Sequence, residues 1–133
     1  MPTARLSVGR STVRAMTMIE MGGVTIDCAD PRKLAEFWTE ALGTTIGNDY
    51  GEFIFLTPTV ENGPYVGLQK VPEERAGKNR VHIDFRTNDR PAEVARLVKL
   101  GAIEVEEHTV PGLTWTVLQD PEGNEFCVGG FHH

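Results

Sequence analysis

Apolar and polar positions alternate with period two over residues 22–28. Val24, Ile26 and Cys28 fall on one side and Thr25 and Asp27 on the other, the pattern of a half-buried strand. The period then changes to that of a helix. Leu34, Phe37, Trp38, Ala41 and Leu42 form one apolar stripe, which assigns Phe37 and Trp38 to the core. Asp30 suits the N-cap, Pro31 the first helical position and Gly43 the position past the end. Thr44–Ile46 and Glu52–Leu56 read as strands around a Gly-Asn-Asp-Tyr-Gly turn. Tyr65–Val71 reads as a fourth strand, entered through Asn62, Gly63 and Pro64.

The same order then recurs. A strand over Arg80–Arg86 leads into a helix over Pro91–Leu100, with Val94, Leu97 and Val98 on its buried face. Ala102–Glu106 and Leu113–Gln119 follow as strands, then a tight turn at Asp120-Pro121-Glu122-Gly123-Asn124 and a last strand over Glu125–Val128. The interval from Asp30 to Gly43 equals that from Asn88 to Gly101. A repeated unit of this kind predicts an α+β fold. Two tandem βαβββ modules form curved, mostly antiparallel sheets around a cleft, with the helices outside. Module one spans residues 19–78 and module two residues 79–131, joined through the charged, turn-rich segment 72–79. Residues 1–18 read as an N-terminal extension: Arg5, Arg10 and Arg14 sit among Ser and Thr, with no acidic residue before Glu20.

Strand parity sorts the candidate chemistry. The apolar faces must cover the helices, so the opposite faces line the concave side. That side carries Thr25, Asp27, Gln69, His82, Asp84, Arg86 and Cys127, with Glu125 beside Cys127 and Trp115 at the rim. His82 and Asp84 lie two apart on one strand, so His82 is placed as a general base with Asp84 orienting it. Arg86 is placed to hold a carboxylate or an enolate, and Asp27 to act as the complementary acid or base. Thr25, Gln69, Trp115 and Cys127 are assigned to substrate binding. A lone cysteine in such a place is more often a small buried apolar residue than a nucleophile.

This arrangement resembles the vicinal oxygen chelate superfamily, which includes glyoxalases, bleomycin- and fosfomycin-resistance proteins and extradiol dioxygenases. The likeness is to its small glyoxalase-like members. It is carried by Cys28-Ala29-Asp30-Pro31, Leu34-Ala35-Glu36-Phe37-Trp38, Leu42-Gly43, Asn79 to Asp84, and Asp120 to Asn124 before Glu125-Phe126-Cys127. The resemblance implies metal ligands on the first, fourth, fifth and eighth strands: His or Gln, Glu, His and Glu. The matching positions here are Gly23, Gln69, His82 and Cys127, of which only His82 agrees. No cofactor is therefore expected. A divalent metal, if held, would draw on His82 with Gln69 and Cys127, and would need Asp27 or Asp84 as a ligand outside the family's geometry. The resemblance also implies a homodimer.

Composition narrows the partners. A net charge of −6 argues against nucleic acid and anionic membranes, and no apolar run is long enough for a membrane span. Two cysteines without CxxC spacing make no disulfide scaffold, so a reducing cytoplasm is the simplest compartment. The expected partner is a small organic molecule. The expected activity is lyase or isomerase chemistry next to a carbonyl, carried by acid–base residues. The alternatives are sequestration of a cationic planar molecule in a cleft edged by Trp115, Tyr50 or Phe53, and a metal-dependent glyoxalase-type lyase.

Overall fold

A computed structural model describes residues 19–130. The N-terminal extension inferred for residues 1–18 lies outside them. The elements run β1 (Gly23–Cys28), α1 (Pro31–Leu42), β2 (Ile46–Asp49), β3 (Phe53–Leu56) and β4 (Tyr65–Lys70). They then repeat as β5 (Ile83–Thr87), α2 (Arg90–Leu100), β6 (Ile103–Val110), β7 (Leu113–Gln119) and β8 (Glu125–Gly130). Each module folds one four-stranded sheet, in the orders β1-β4-β3-β2 and β5-β8-β7-β6. The pairs β1/β4 and β5/β8 are parallel and the remaining pairs antiparallel. This is the α+β fold of two βαβββ modules.

Local chemistry sets the helix ends. The Asp30 carboxylate accepts from the backbone N–H of Lys33, Pro31 occupies the first turn, and Gly43 closes the helix at φ 66°. In α2 the cap is Asp89, accepting from Ala92 N–H, so the helix begins at Arg90, one residue earlier than the pattern indicated. Val98, expected on its buried face, is 43% exposed; Val94 and Leu97 alone hold that face down. β2 begins at Ile46 rather than Thr44, and β6 continues to Val110.

The two modules share one core. Trp38 of α1 packs against Phe126 of β8 at 5.0 Å and Phe85 of β5 at 5.9 Å between ring centroids, and against Phe37 edge-on at 5.0 Å. Each helix covers its own sheet, α1 over β3 and β4 and α2 over β5 to β8, and the Trp38 ring reaches across between the modules; the opposite side of the second sheet is left to line a pocket.

The turn between β7 and β8 fastens this seam. The buried Asp120 carboxylate accepts from the Trp38 indole N–H at 3.0 Å and from the backbone N–H groups of Glu122 and Asn124. Glu122 in turn accepts from Ala29 and Asp30 N–H at 2.6 and 2.9 Å, and the Asn124 amide donates to the Asp27 carbonyl. The Asp-Pro-Glu-Gly-Asn turn is thus a clasp as well as a reversal of the chain.

Candidate active site

The concave face of the second sheet is built from rows of side chains in register. Arg86 on β5 pairs with Gly129 on β8, which pairs with Trp115 on β7, which pairs with His108 on β6. The next row places Asp84 against Cys127 and Cys127 against Val117. One residue pair before Ile83↔Phe126, His82 meets Glu125, its Nε2 3.5 Å from Glu125 Oε1. A pocket of about 340 Å³ opens over these rows, lined by His82, Asp84, Arg86, Trp115, Cys127 and Gly129 among others.

Five of the residues inferred for the site therefore share one wall: His82, Asp84, Arg86, Trp115 and Cys127. Asp27 lines a different cleft of about 560 Å³, at the seam between β1, the 120–124 turn and the linker. Thr25 and Gln69 lie on the concave face of the first sheet, where Asp27 pairs with Gln69 and Thr25 with Gly67; neither lines the 340 Å³ pocket.

His82 has a different neighbour from the one its sequence spacing suggests. Residues two apart on one strand stand roughly 6–7 Å apart, whereas directly paired residues on adjacent strands stand about 5 Å apart. Register gives Cys127 to Asp84, and His82, just before β5, meets Glu125 through its side chain. Nε2 of His82 is buried and makes no hydrogen bond; the Glu125 oxygen lies at ion-pair range without hydrogen-bond geometry. Glu125 is itself nearly buried, and its other oxygen lies 3.7 Å from the Arg75 guanidinium. Arg75 comes from the linker and lines the seam cleft, so a chain of charge runs Arg75–Glu125–His82 into the pocket. Sequence parity put Glu125 on this face. Nothing in the sequence singled out Arg75, whose segment has no periodicity.

The cysteines are quiet. Burial, the nearby Asp84 carboxylate and its hydrogen bond push the Cys127 thiol up to about 11; burial, Glu122 and Asp120 push Cys28 to about 12. Both remain thiols near neutrality, neither ready nucleophiles nor ready thiolate ligands.

The donor set does not fit the superfamily's metal. At the first-strand position, a Cβ on Gly23 would fall 2.5 Å from the Tyr65 ring, so an aromatic ring fills the space a ligand side chain would use. Gln69 offers a neutral oxygen, Cys127 holds its proton, and among the described residues no group of three or more His, Cys, Asp or Glu is arranged to hold an ion. The first sheet presents rings there instead: Phe53 and Phe55 stack at 4.5 Å, and Tyr65 meets Phe55 edge-on at 5.0 Å.

A family model described as glyoxalase-like domain matches residues 23–129. Among solved structures, the chain is similar to a glyoxalase/bleomycin resistance protein/dioxygenase family enzyme from Burkholderia phytofirmans PsJN. The identity is 17%, the TM-score 0.71, and the coverage 84% of this chain and 98% of that one. It is also similar to the fosfomycin resistance protein FosX from Mesorhizobium loti (14%, TM-score 0.68, 87% and 95% covered). A third is lactoylglutathione lyase from Agrobacterium tumefaciens (20%, TM-score 0.63, 86% and 95% covered). At these identities the structures share the fold. No curated protein is significantly similar in sequence. No helix among the described residues is long and apolar enough to cross a membrane.

Proposed function

The chain belongs to the glyoxalase-like domain family, and on that footing we propose that it is a metal-independent lyase or isomerase acting next to a carbonyl of a small organic acid. The observation that carries this reading is one pocket wall that presents His82, Asp84 and Arg86 together, with Glu125 3.5 Å behind Nε2 of His82. An imidazole on that wall is placed to accept a proton. The Glu125 carboxylate beside Nε2 fixes the orientation of the ring. Arg86 then holds the substrate carboxylate or the enolate oxygen as negative charge develops. His82, carrying the abstracted proton, returns it to the other end of the enolate, so protons balance within the step. No step requires a Lewis acid.

The test is proton exchange. Phenylpyruvate, pyruvate and oxaloacetate are incubated with the protein in D2O, and loss of the C–H signal next to the carbonyl is followed by proton NMR. Exchange well above the buffer rate, lowered about a hundredfold or more in His82→Gln, supports the reading. Exchange by none of the three, or equal exchange by the variant, refutes it.

Sequestration is the second reading, favoured by the half-buried ring cluster of Phe53, Phe55 and Tyr65 on the first sheet. A planar molecule stacked there without turnover would give stoichiometric binding and no product. Both sheets keep open edges, at β1 and β2 in one and β5 and β6 in the other, which supports pairing of two chains into a homodimer. Light scattering of the purified protein decides that point.

A further inference from the structure

Gly129 occupies an unusual place on the second sheet. It is the middle member of the Arg86–Gly129–Trp115 row, so the only missing side chain in that row lies between a guanidinium and an indole. Arg86 and Trp115 are two strands apart, a backbone separation of roughly 10 Å. With no side chain at Gly129, the space above it stays open as a slot between its two neighbours and belongs to the 340 Å³ pocket.

The indole is braced on the far side. His108, the next residue in the row, stacks on Trp115 with ring centroids 5.1 Å apart and planes 20° from parallel, and its Nε2 lies 3.0 Å from Glu106. His108 and Gly129 flank Trp115 from opposite strands. One face of the indole is thereby covered, and the face toward Gly129 lines the pocket.

Gly129 is not required by backbone conformation, since it is not among the positive-φ glycines. Nor is it required by packing in the fold, because a Cβ there would meet only Trp115 Cβ at 3.5 Å and Thr114 O at 3.7 Å, ordinary contacts. A central strand gains stability from a side chain at such a place. Neither backbone nor packing therefore accounts for a glycine at this place in the row.

We infer that the slot over Gly129 is a specificity subsite for a flat carboxylate: a conjugated or aromatic acid whose plane stacks on Trp115 and whose carboxylate meets Arg86. This rests on the acid–base reading of the same pocket and names the class of substrate for it. The ring π-face supplies the stacking and the guanidinium the charge-assisted pairing, and neither group suits a puckered or uncharged molecule as well.

Trp115 reports directly on the slot, because the only other tryptophan, Trp38, is 2% exposed in the core. Quenching of intrinsic fluorescence is titrated with benzoate, trans-cinnamate, cyclohexanecarboxylate (the same acid without a flat ring) and benzamide (the same ring without the charge). Benzoate or cinnamate is expected to bind at least about tenfold more tightly than either control. Gly129→Ala, which the fold accommodates, is expected to weaken that binding, and Gly129→Val to weaken it by about tenfold or more. Arg86→Gln is expected to erase the preference for benzoate over benzamide. The inference is overturned if flat and puckered acids bind within about twofold of each other, if no flat acid binds up to about 10 mM, or if Gly129→Ala binds as the parent does. His82→Gln separates the two readings. It lies outside the slot, so flat acids still quench Trp115 in this variant when the slot reading holds, whatever becomes of proton exchange.

Discussion

The indole N–H of Trp38, on the helix of module one, donates to the carboxylate of Asp120, in the last turn of module two, at 3.0 Å with both residues buried. That bond ties the helix of module one to the turn leading into β8, whose concave side carries Glu125, Cys127 and Gly129. Trp38→Phe removes one donor and leaves Asp120 accepting from Glu122 and Asn124. The expected loss is about 1–3 kcal/mol. Asp120→Ala strips every one of these donors of its acceptor at once and should cost more, about 3–5 kcal/mol. Urea titrations of the two variants check the order, and equal losses would mean that the carboxylate is not the hub of the clasp.

Gly23 and Tyr65 are the second pair on which the site depends. A Cβ at position 23 would lie 2.5 Å from the Tyr65 ring, so Gly23→Ala must displace it, at an expected cost of about 1–3 kcal/mol. Tyr65→Ala in the same chain should relieve much of that cost, making the pair strongly non-additive. Gly23→His is expected to acquire no stoichiometric zinc, nickel or manganese after dialysis and elemental analysis. Metal bound at one equivalent would show that the ring yields to a ligand after all.

The strands and helices around these residues were legible because their two faces differ. Leu34, Phe37 and Trp38 mark α1 with a stripe, and Val24, Ile26 and Cys28 mark β1 by alternation; all but Val24 are fully buried. Where an element is exposed on both sides, the signal fades. All four residues of β2 are exposed, and β6 carries Ile103 and Val105 at 59% and 45% exposure, so their limits were misplaced. The wall of His82, Asp84, Arg86 and Cys127 followed from parity alone. The meeting of His82 with Glu125 did not, because it depends on how the chain enters β5 beside β8, and Arg75 reaches Glu125 from a segment with no pattern to read.

The two thiols give the protein an alkaline limit. The usual thiol value is 9.0, and the folded values are about 12 for Cys28 and about 11 for Cys127. Above pH 9 the unfolded chain releases protons that the fold retains, so stability contributed by these groups is full below pH 9. It is lost as pH rises toward 11 and 12, on the order of 1–3 kcal/mol per thiol. Denaturation midpoints under reducing conditions should fall more steeply over that range in the parent than in Cys28→Ala/Cys127→Ala. Parallel slopes would assign the alkaline loss to other groups.

The chain Arg75–Glu125–His82 makes the sharpest claim about how the proposed reaction is supported. Glu125 stands 3.5 Å from His82 Nε2 and 3.7 Å from the Arg75 guanidinium, whereas Asp84 pairs with Cys127. If Glu125 is the group that holds the His82 ring in place, Glu125→Gln should slow proton exchange of phenylpyruvate by about tenfold to a hundredfold with little change in binding. Arg75 approaches the imidazole only through Glu125, so Arg75→Ala should slow exchange less. Arg75→Ala/Glu125→Gln should then be no slower than Glu125→Gln alone, since an arginine that acts by holding a carboxylate has nothing to hold once the charge is gone. Additive losses would place Arg75 in contact with the substrate instead. A Glu125→Gln variant as fast as the parent would return the supporting role to Asp84, the residue two positions along the chain.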